Sequence, residues 1–266
     1  MKNLKLLSVL FISMILLFAS CGKDDDSPIG GSTKLIKKYI IEDYQYQYSY
    51  NVYGQLSEIY VGNIVPSYYS KIELEYIGNN LVSYTVISDG KIVETILLLN
   101  YYNNKPTIAE VYTGEAVPEE LYEKIYFTYT DGNMTKLIAK GGNTSHIIFK
   151  HELFYSNDNV IQQKYYNYNN GNYSLRNIVD FTYDNKINPF YIFGFVDFVG
   201  NKITSGISFM DINNFVNVEI SDANGVVLPQ ESFNRVFEYD ANGYPTKCIM
   251  TSIDSNKVIN TEYEYY

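Results

Sequence analysis

Apolar and polar residues alternate one by one along most of the chain that follows residue 40. In one such stretch Tyr46, Tyr48 and Tyr50 share one face, and the polar residues between them share the other. A period of two indicates β-strands with one buried and one water-facing side. Turn sequences such as Asp131-Gly132 separate these stretches and supply the left-handed backbone that tight hairpins need. The pattern therefore predicts consecutive antiparallel hairpins.

A tyrosine recurs just before each predicted turn. We call this set the register tyrosines: Tyr50, Tyr76, Tyr101, Tyr129, Tyr155, Tyr183, Tyr239 and Tyr265. Neighbouring members are about 26 residues apart, except that Tyr183 and Tyr239 are about two such periods apart. We interpret the long interval as two repeats, with a degenerate hairpin at Phe209–Val216 that has Met210 in the tyrosine position. Each repeat is then an aromatic strand, a turn and a return strand.

These repeats predict an all-β fold. We expect a large antiparallel up-and-down meander of about sixteen strands, closed or flattened into a barrel-like sheet, as a single domain over residues 34–266. The sequence leaves the orientation of the aromatic face open. It points inward if the barrel is surrounded by water, and toward lipid if the barrel spans a membrane. We favour the inward orientation, because an integral barrel does not need the tether that the N-terminus suggests.

The first residues are typical of a secretory signal. Lys2 and Lys5 precede an apolar run that ends in the small residues Ala19-Ser20, directly before Cys21. We predict a signal peptide over residues 1–20. The following residues, 21–33, are polar and rich in aspartate, glycine and serine, which is typical of a flexible linker.

Net charge and cysteine content reduce the number of possible functions. The net charge of −10 repels phosphate backbones, so we expect no nucleic-acid partner. The chain has two cysteines. If Cys21 carries a lipid, Cys248 has no disulfide partner, and its strand-like surroundings favour an ordinary core position over a reactive thiol.

Candidate chemistry is sparse along the chain. Neither a nucleophile elbow nor a zinc-protease motif nor a phosphate loop occurs, so we expect no enzymatic activity, no cofactor and no metal. His146 and His151 are five residues apart, which places them on opposite faces of a strand. Tyrosines outside the register set are the candidate ligand-binding residues, because a tyrosine ring stacks on apolar surfaces and its hydroxyl forms hydrogen bonds. They are Tyr53, Tyr68, Tyr69, Tyr166 and Tyr173, which we expect in or near loops.

Two of these motifs resemble known families. Ala19-Ser20-Cys21 resembles a bacterial lipobox, and with the following Asp24-Asp25-Asp26 it resembles the export signal of Bacteroidetes surface lipoproteins. Tyr239-Asp240-Ala241-Asn242-Gly243 resembles the YD repeats of Rhs-type proteins. Taken together, the chain resembles Bacteroidetes lipoproteins of unknown function that carry a porin-like β domain. The resemblance implies acylation of Cys21, an outer-membrane location that is lipid-anchored and surface-exposed, and no catalytic residues.

The resulting hypothesis is a non-catalytic binding or scaffold module of the cell envelope. Its membrane contact is the N-terminal lipid, and its partner is a glycan or another envelope protein. Two alternatives stay open: an integral outer-membrane β-barrel pore and a glycan-processing enzyme.

Overall fold

The chain forms one antiparallel sheet that closes into a barrel. The structure, a computed structural model, describes residues 34–63, 69–114, 121–142, 146–191, 211–255 and 257–266. Its strands are β1 Ile36–Ile41, β2 Tyr44–Tyr50, β3 Leu56–Asn63, β4 Tyr69–Ile77, β5 Asn80–Ser88, β6 Lys91–Tyr102, β7 Lys105–Thr113, β8 Leu121–Thr130, β9 Asn133–Gly141, β10 Ile147–Ser156, β11 Asn159–Asn169, β12 Asn172–Ile187, β13 Asn213–Asp222, β14 Phe233–Tyr239, β15 Pro245–Ser252 and β16 Val258–Tyr265.

Each strand pairs with its neighbours in the chain, and β16 pairs with β1. The predicted all-β meander of about sixteen strands is therefore confirmed, and the sheet is closed. Leu35–Tyr266 forms one compact unit that contains every strand. The predicted signal peptide, Cys21 and the linker at 21–33 lie outside the described residues. Within the described ranges, no helix has the length and apolar character needed to cross a membrane.

The short turns use the residues that the sequence suggested. Asp131 and Gly132 join β8 to β9 with φ angles of 50° and 84°, as a two-residue hairpin turn requires. In the turn between β14 and β15, Asp240 Oδ1 accepts hydrogen bonds from the backbone N–H groups of Asn242 and Tyr244 at 2.8 and 3.0 Å. The Asp240 carboxylate thus stabilises the turn, which gives this acidic residue a structural role.

The register tyrosines point into the barrel near one end. Tyr129 of β8 donates a hydrogen bond to the Pro106 carbonyl of β7 at 2.8 Å, and Tyr155 of β10 donates to the Met134 carbonyl of β9 at 3.0 Å. The same kind of hydrogen bond recurs on other even-numbered strands, where a tyrosine hydroxyl donates to a backbone carbonyl at the start of the preceding strand. These tyrosines are Tyr50, Tyr101, Tyr183 and Tyr265. A repeated hydroxyl–carbonyl bond of this kind fixes neighbouring strands to each other and explains the regular spacing.

The long interval between Tyr183 and Tyr239 is not two repeats. β12 extends to Ile187, which pairs with Asn213 at the start of β13. The predicted degenerate hairpin at Phe209–Val216 is therefore wrong as far as the structure describes it: residues 213–216 belong to one strand, and Met210 lies outside the described residues. Phe215 belongs to a strand that pairs with β12 and that follows an inserted segment, residues 188–212.

Residues at both ends of that inserted segment pack inside the barrel. The Phe190 ring is buried, with centroid distances of 5.4 Å to Tyr39 and 6.1 Å to Tyr263. At the other end of the segment, Asp211 is fully buried and accepts hydrogen bonds from the Val160 N–H and the Tyr183 hydroxyl, both at 2.7 Å. The insertion thus adds to the core that the inward-facing strand residues form.

Candidate functional site

The outward face of the barrel carries ion pairs beside exposed apolar side chains such as those of Val236 and Ile249. Lys71 Nζ lies 2.9 Å from a Glu58 carboxylate oxygen and 2.8 Å from one of Glu73, on adjacent strands. Lys38 and Glu264 form a further outward pair, at 2.5 Å, across the β1–β16 junction. The inward-facing residues, in contrast, are largely apolar and form one buried cluster. Strand alternation therefore separates an aromatic interior from an exterior that carries ion pairs.

One region of this exterior is aromatic. Tyr166 and Tyr168 of β11 lie beside Tyr173 of β12, with ring centroids 6.5 Å apart for Tyr166–Tyr173 and 5.0 Å apart for Tyr168–Tyr173. Strand register explains the contacts, since Tyr168 is the cross-strand partner of Tyr173. We call these three residues the outer tyrosine cluster. Tyr173 is 38% exposed, so its ring is accessible.

A lysine and a glutamate of β10 sit at this cluster. Lys150 Nζ lies 3.9 Å from the Tyr166 ring centroid and 4.6 Å from that of Tyr173, within cation–π range. It also pairs with Glu152 at 2.7 Å, and the Tyr166 hydroxyl donates to the other Glu152 oxygen at 2.9 Å. Burial acts to raise the pKa of Glu152, but the hydrogen bonds from Lys150 and Tyr166 outweigh it and lower that pKa. The cluster therefore combines ring faces, a fixed cation and an ionised carboxylate.

The structure brings together two of the candidate tyrosines and places a third elsewhere. Tyr166 and Tyr173 are both members of the cluster, although Tyr166 lies within β11 and not in or near a loop as expected. Tyr53 is 84% exposed in the turn between β2 and β3. Successive turns of an antiparallel barrel alternate between its two ends. The β2–β3 turn therefore lies at the opposite end from the β11–β12 turn. Tyr68 and the side chain of Tyr69 lie outside the described residues.

Three members of this site were not predicted: Tyr168, Lys150 and Glu152. The sequence holds a signal for Tyr168, since it is two residues from Tyr166 on the same strand and must share its face. Lys150 and Glu152 become recognisable only once the β10–β11 register is known, because Lys150 pairs with Tyr166 across the strands.

The two histidines lie on opposite faces, as strand alternation predicts. His151 is buried inside the barrel, where the Gln163 side-chain amide hydrogen-bonds to its Nδ1. Its Nε2 has no hydrogen-bond partner among the described residues, and burial lowers its pKa to about 3. His146 is exposed, with its ring 5.9 Å from that of Tyr168. His146 therefore borders the outer tyrosine cluster, and His151 belongs to the core.

Inside the barrel, a cavity of about 30 Å³ is lined by Phe190, Phe215, Arg235 and neighbouring residues, with the Arg235 guanidinium carbon 3.9 Å from the Phe215 ring centroid. This volume is sufficient for water but not for a sugar ring. Cys248 is also buried inside, and burial raises its thiol pKa to about 11, so it is a core residue with little thiolate.

Fold and site together define a closed sixteen-stranded antiparallel β-barrel with an aromatic patch on its outside. Two solved structures are similar to it. A porin-like protein from Bacteroides uniformis has 13% identity and a TM-score of 0.57, covering 88% of this chain and 97% of that chain. A porin-like protein from Bacteroides vulgatus has 9% identity and a TM-score of 0.55, covering 87% and 99%. At such identities the similarity shows a shared fold. No protein-family model matches the sequence, and the search of curated proteins gave no match.

Proposed function

We propose that this protein is a lipid-anchored module of the outer-membrane envelope with a barrel surrounded by water. In this proposal Cys21 carries the lipid, and the outer tyrosine cluster binds glycans without catalysing a reaction. The names of the two similar structures support the outer-membrane location. The lipobox resemblance around Cys21 supports the anchor and the exposure at the cell surface.

One observation carries the proposal of a water-facing barrel: the polarity of its two faces. A barrel that spans a membrane has an apolar band outside and, when it is a pore, a polar channel inside. Here Lys71, Glu58 and Glu73 form ion pairs on the outside, and contact with lipid would desolvate these charges. Phe127 and Leu137, in contrast, are buried in the inward-facing cluster.

The second candidate is an integral outer-membrane pore. The fold shared with two proteins called porin-like favours it, as does the closure of the sheet. The two candidates differ in what contacts the outward lysines and glutamates, which is water in the first and lipid in the second. A glycan-processing enzyme was the remaining alternative, and no arrangement among the described residues favours it.

The anchor is tested by the variant Cys21→Ser. We expect it to abolish incorporation of labelled fatty acid and to release the protein from the membrane fraction, because the thiol is the acylated group. Labelling equal to that of the wild type would contradict the lipoprotein proposal.

Glycan binding is tested with an array of oligosaccharides and residues 34–266, which contain the complete barrel. We expect Tyr173→Ala to weaken each observed interaction about tenfold, because the variant removes an accessible stacking surface. The matched control is Tyr102→Ala, which removes a tyrosine that is 67% exposed at the end of β6. If both variants bound glycans equally well, the glycans would bind at a different site. An array without any interaction would contradict the glycan-binding function.

A further inference from the structure

The outer tyrosine cluster lies at the edge of a wider basic surface on strands β8 to β11. Cross-strand pairing places the lysines of these strands on the outward face, where Lys136, Glu152 and Lys164 form one row over three adjacent strands. We call the five outward lysines of this surface the lysine face: Lys124, Lys136, Lys140, Lys150 and Lys164. At about 4.8 Å between strands, the four strands span roughly 15 Å.

Aromatic rings alternate with these lysines. Lys140 Nζ lies 4.8 Å from the Tyr126 ring centroid, and Lys164 Nζ lies 5.2 Å from that of Phe154. A second row runs from Tyr126 through Ile138 and Lys150 to Tyr166, which joins the lysine face to the outer tyrosine cluster. Rings and ammonium groups thus form one continuous surface.

The positive charge of this surface is only partly neutralised. Lys124 pairs with Glu110 at 2.6 Å, and Lys150 pairs with Glu152. Lys136, Lys140 and Lys164 form no ion pair with any residue that the structure describes. These three ammonium groups therefore have no counter-ion in direct contact among the described residues, and Lys164 lies across from Glu152 on the neighbouring strand.

The opposite side of the barrel carries acidic residues that are paired with lysines. Glu264 of β16 contacts Lys38, Glu58 of β3 contacts Lys71, and Glu262 is the cross-strand partner of Lys247. On a chain whose net charge is −10, a local basic surface is a deviation from the overall composition. Such a surface attracts an anionic partner to one side of the molecule only.

From this juxtaposition we infer that the lysine face and the outer tyrosine cluster together bind an acidic polysaccharide, one that carries carboxylate or sulfate groups. The inference rests on the proposed glycan-binding function and names its substrate class. The tyrosine rings supply stacking surfaces for the apolar faces of sugars, and the lysines supply ammonium groups for the acidic substituents.

A polysaccharide fits this surface better than an anionic membrane does. The Lys150 side chain is only 14% exposed, because it lies between the Tyr166 and Tyr173 rings. A flat lipid surface makes poor contact with such a recessed ammonium group. A flexible acidic chain can adapt its shape to the rings that surround this group.

The test measures the affinity of residues 34–266 for polygalacturonate by titration calorimetry. The neutral comparison is the same polymer with its carboxylates methyl-esterified. The variant is Lys140→Gln combined with Lys164→Gln, and the matched control is Lys38→Gln combined with Lys247→Gln on the opposite side. Both double variants change the net charge equally, and thermal melting checks that both are folded.

We expect polygalacturonate to bind, and the lysine-face variant to lose at least about tenfold in affinity while the control stays within about twofold. Binding should also weaken when salt is raised from about 0.05 M to about 0.5 M, since exposed charges are screened. If the esterified polymer bound with the same affinity as polygalacturonate, and the lysine-face variant kept that affinity, the proposed specificity for acidic polysaccharides would be wrong. The glycan-binding function would then remain intact. Binding to neither polymer, with or without binding to phosphatidylglycerol vesicles, would overturn both.

Discussion

The register tyrosines and the outer tyrosine cluster use the same side chain in two different environments. Tyr129 points inward, its ring packs against the core cluster, and its hydroxyl donates to the Pro106 carbonyl. Tyr173 points outward, is 38% exposed and contacts the Lys150 ammonium group. Inside, a tyrosine at the same position of successive repeats serves the scaffold. Outside, Tyr166, Tyr168 and Tyr173 contact one another and Lys150 at the β11–β12 hairpin, and this local grouping distinguishes the cluster from the structural repeat.

The carboxylates next to these tyrosines differ in the same way. Inside, Asp211 accepts the Tyr183 hydroxyl, and burial raises the Asp211 pKa to about 7. Outside, Glu152 accepts the Tyr166 hydroxyl, but Lys150 pairs with it and its pKa is lowered. The difference has two causes: Asp211 is fully buried, whereas Glu152 is partly exposed and is paired with a cation.

The largest expected effect is on the inner set. Tyr129→Ala should lower the free energy of unfolding by about 3–5 kcal/mol, because it removes a large ring from the core. Tyr173→Ala should cost less than about 1 kcal/mol, since a partly exposed ring loses little burial. Denaturant titration of both variants measures the difference. Equal costs would mean that the inner and outer tyrosines do not differ as described.

The second effect concerns the buried carboxylate. Asp211 has a pKa of about 7 in the folded protein, whereas an unperturbed aspartate has a pKa of 3.8, so between these pH values the folded state holds an extra proton. Its contribution to stability is therefore present near pH 4 and is lost as the pH rises to 7 and above, by up to about 1.4 kcal/mol per pH unit. Asp211→Asn should remove this dependence.

The measurement for Asp211 is the unfolding free energy of wild type and variant at several pH values between 4 and 8. The difference between the two proteins isolates Asp211 better than the wild-type curve alone. His151 is neutral in the folded protein and takes up a proton on unfolding below pH 6.5, so it adds a pH dependence of the opposite sign. A difference that does not change with pH would show that Asp211 stays ionised throughout.

The smallest effect separates the hydroxyl from the ring. Tyr129→Phe should cost about 1 kcal/mol, because the Pro106 carbonyl loses its hydrogen bond. Tyr126→Phe on the same strand should change stability by less than about 0.5 kcal/mol, since Tyr126 points outward next to Lys140. Thermal melting of the two variants side by side compares them. If Tyr126→Phe were the more costly change, the assignment of faces along β8 would be reversed.

Much of the fold is predictable from the sequence because it depends on local periodicity. The alternation around Tyr46, Tyr48 and Tyr50 and the turn residues at Asp131-Gly132 are enough to predict hairpins and their order. Closure of the sheet is different, because it depends on pairing between the first and the last strand, which the alternation alone does not specify. The insertion between Ile187 and Asn213 was missed because its spacing matches an extra repeat.

The candidate site was predictable only in part, for a related reason. Tyr166 and Tyr173 stand out because they fall outside the register spacing, and both belong to the cluster. Their contacts with Lys150 depend on the β10–β11 register, where Lys150 is opposite Tyr166. A shift of one residue would turn this lysine to the other face, so its role cannot be assigned before the strand pairing is known.

The most direct test of the central claim, that the outward face of the barrel contacts water, is sedimentation of residues 34–266 without detergent. The outward ion pairs and the aromatic interior predict one monodisperse species that melts cooperatively. Protein that stays dispersed only in detergent, and that conducts ions when added to a planar bilayer, would contradict this account and support the integral pore.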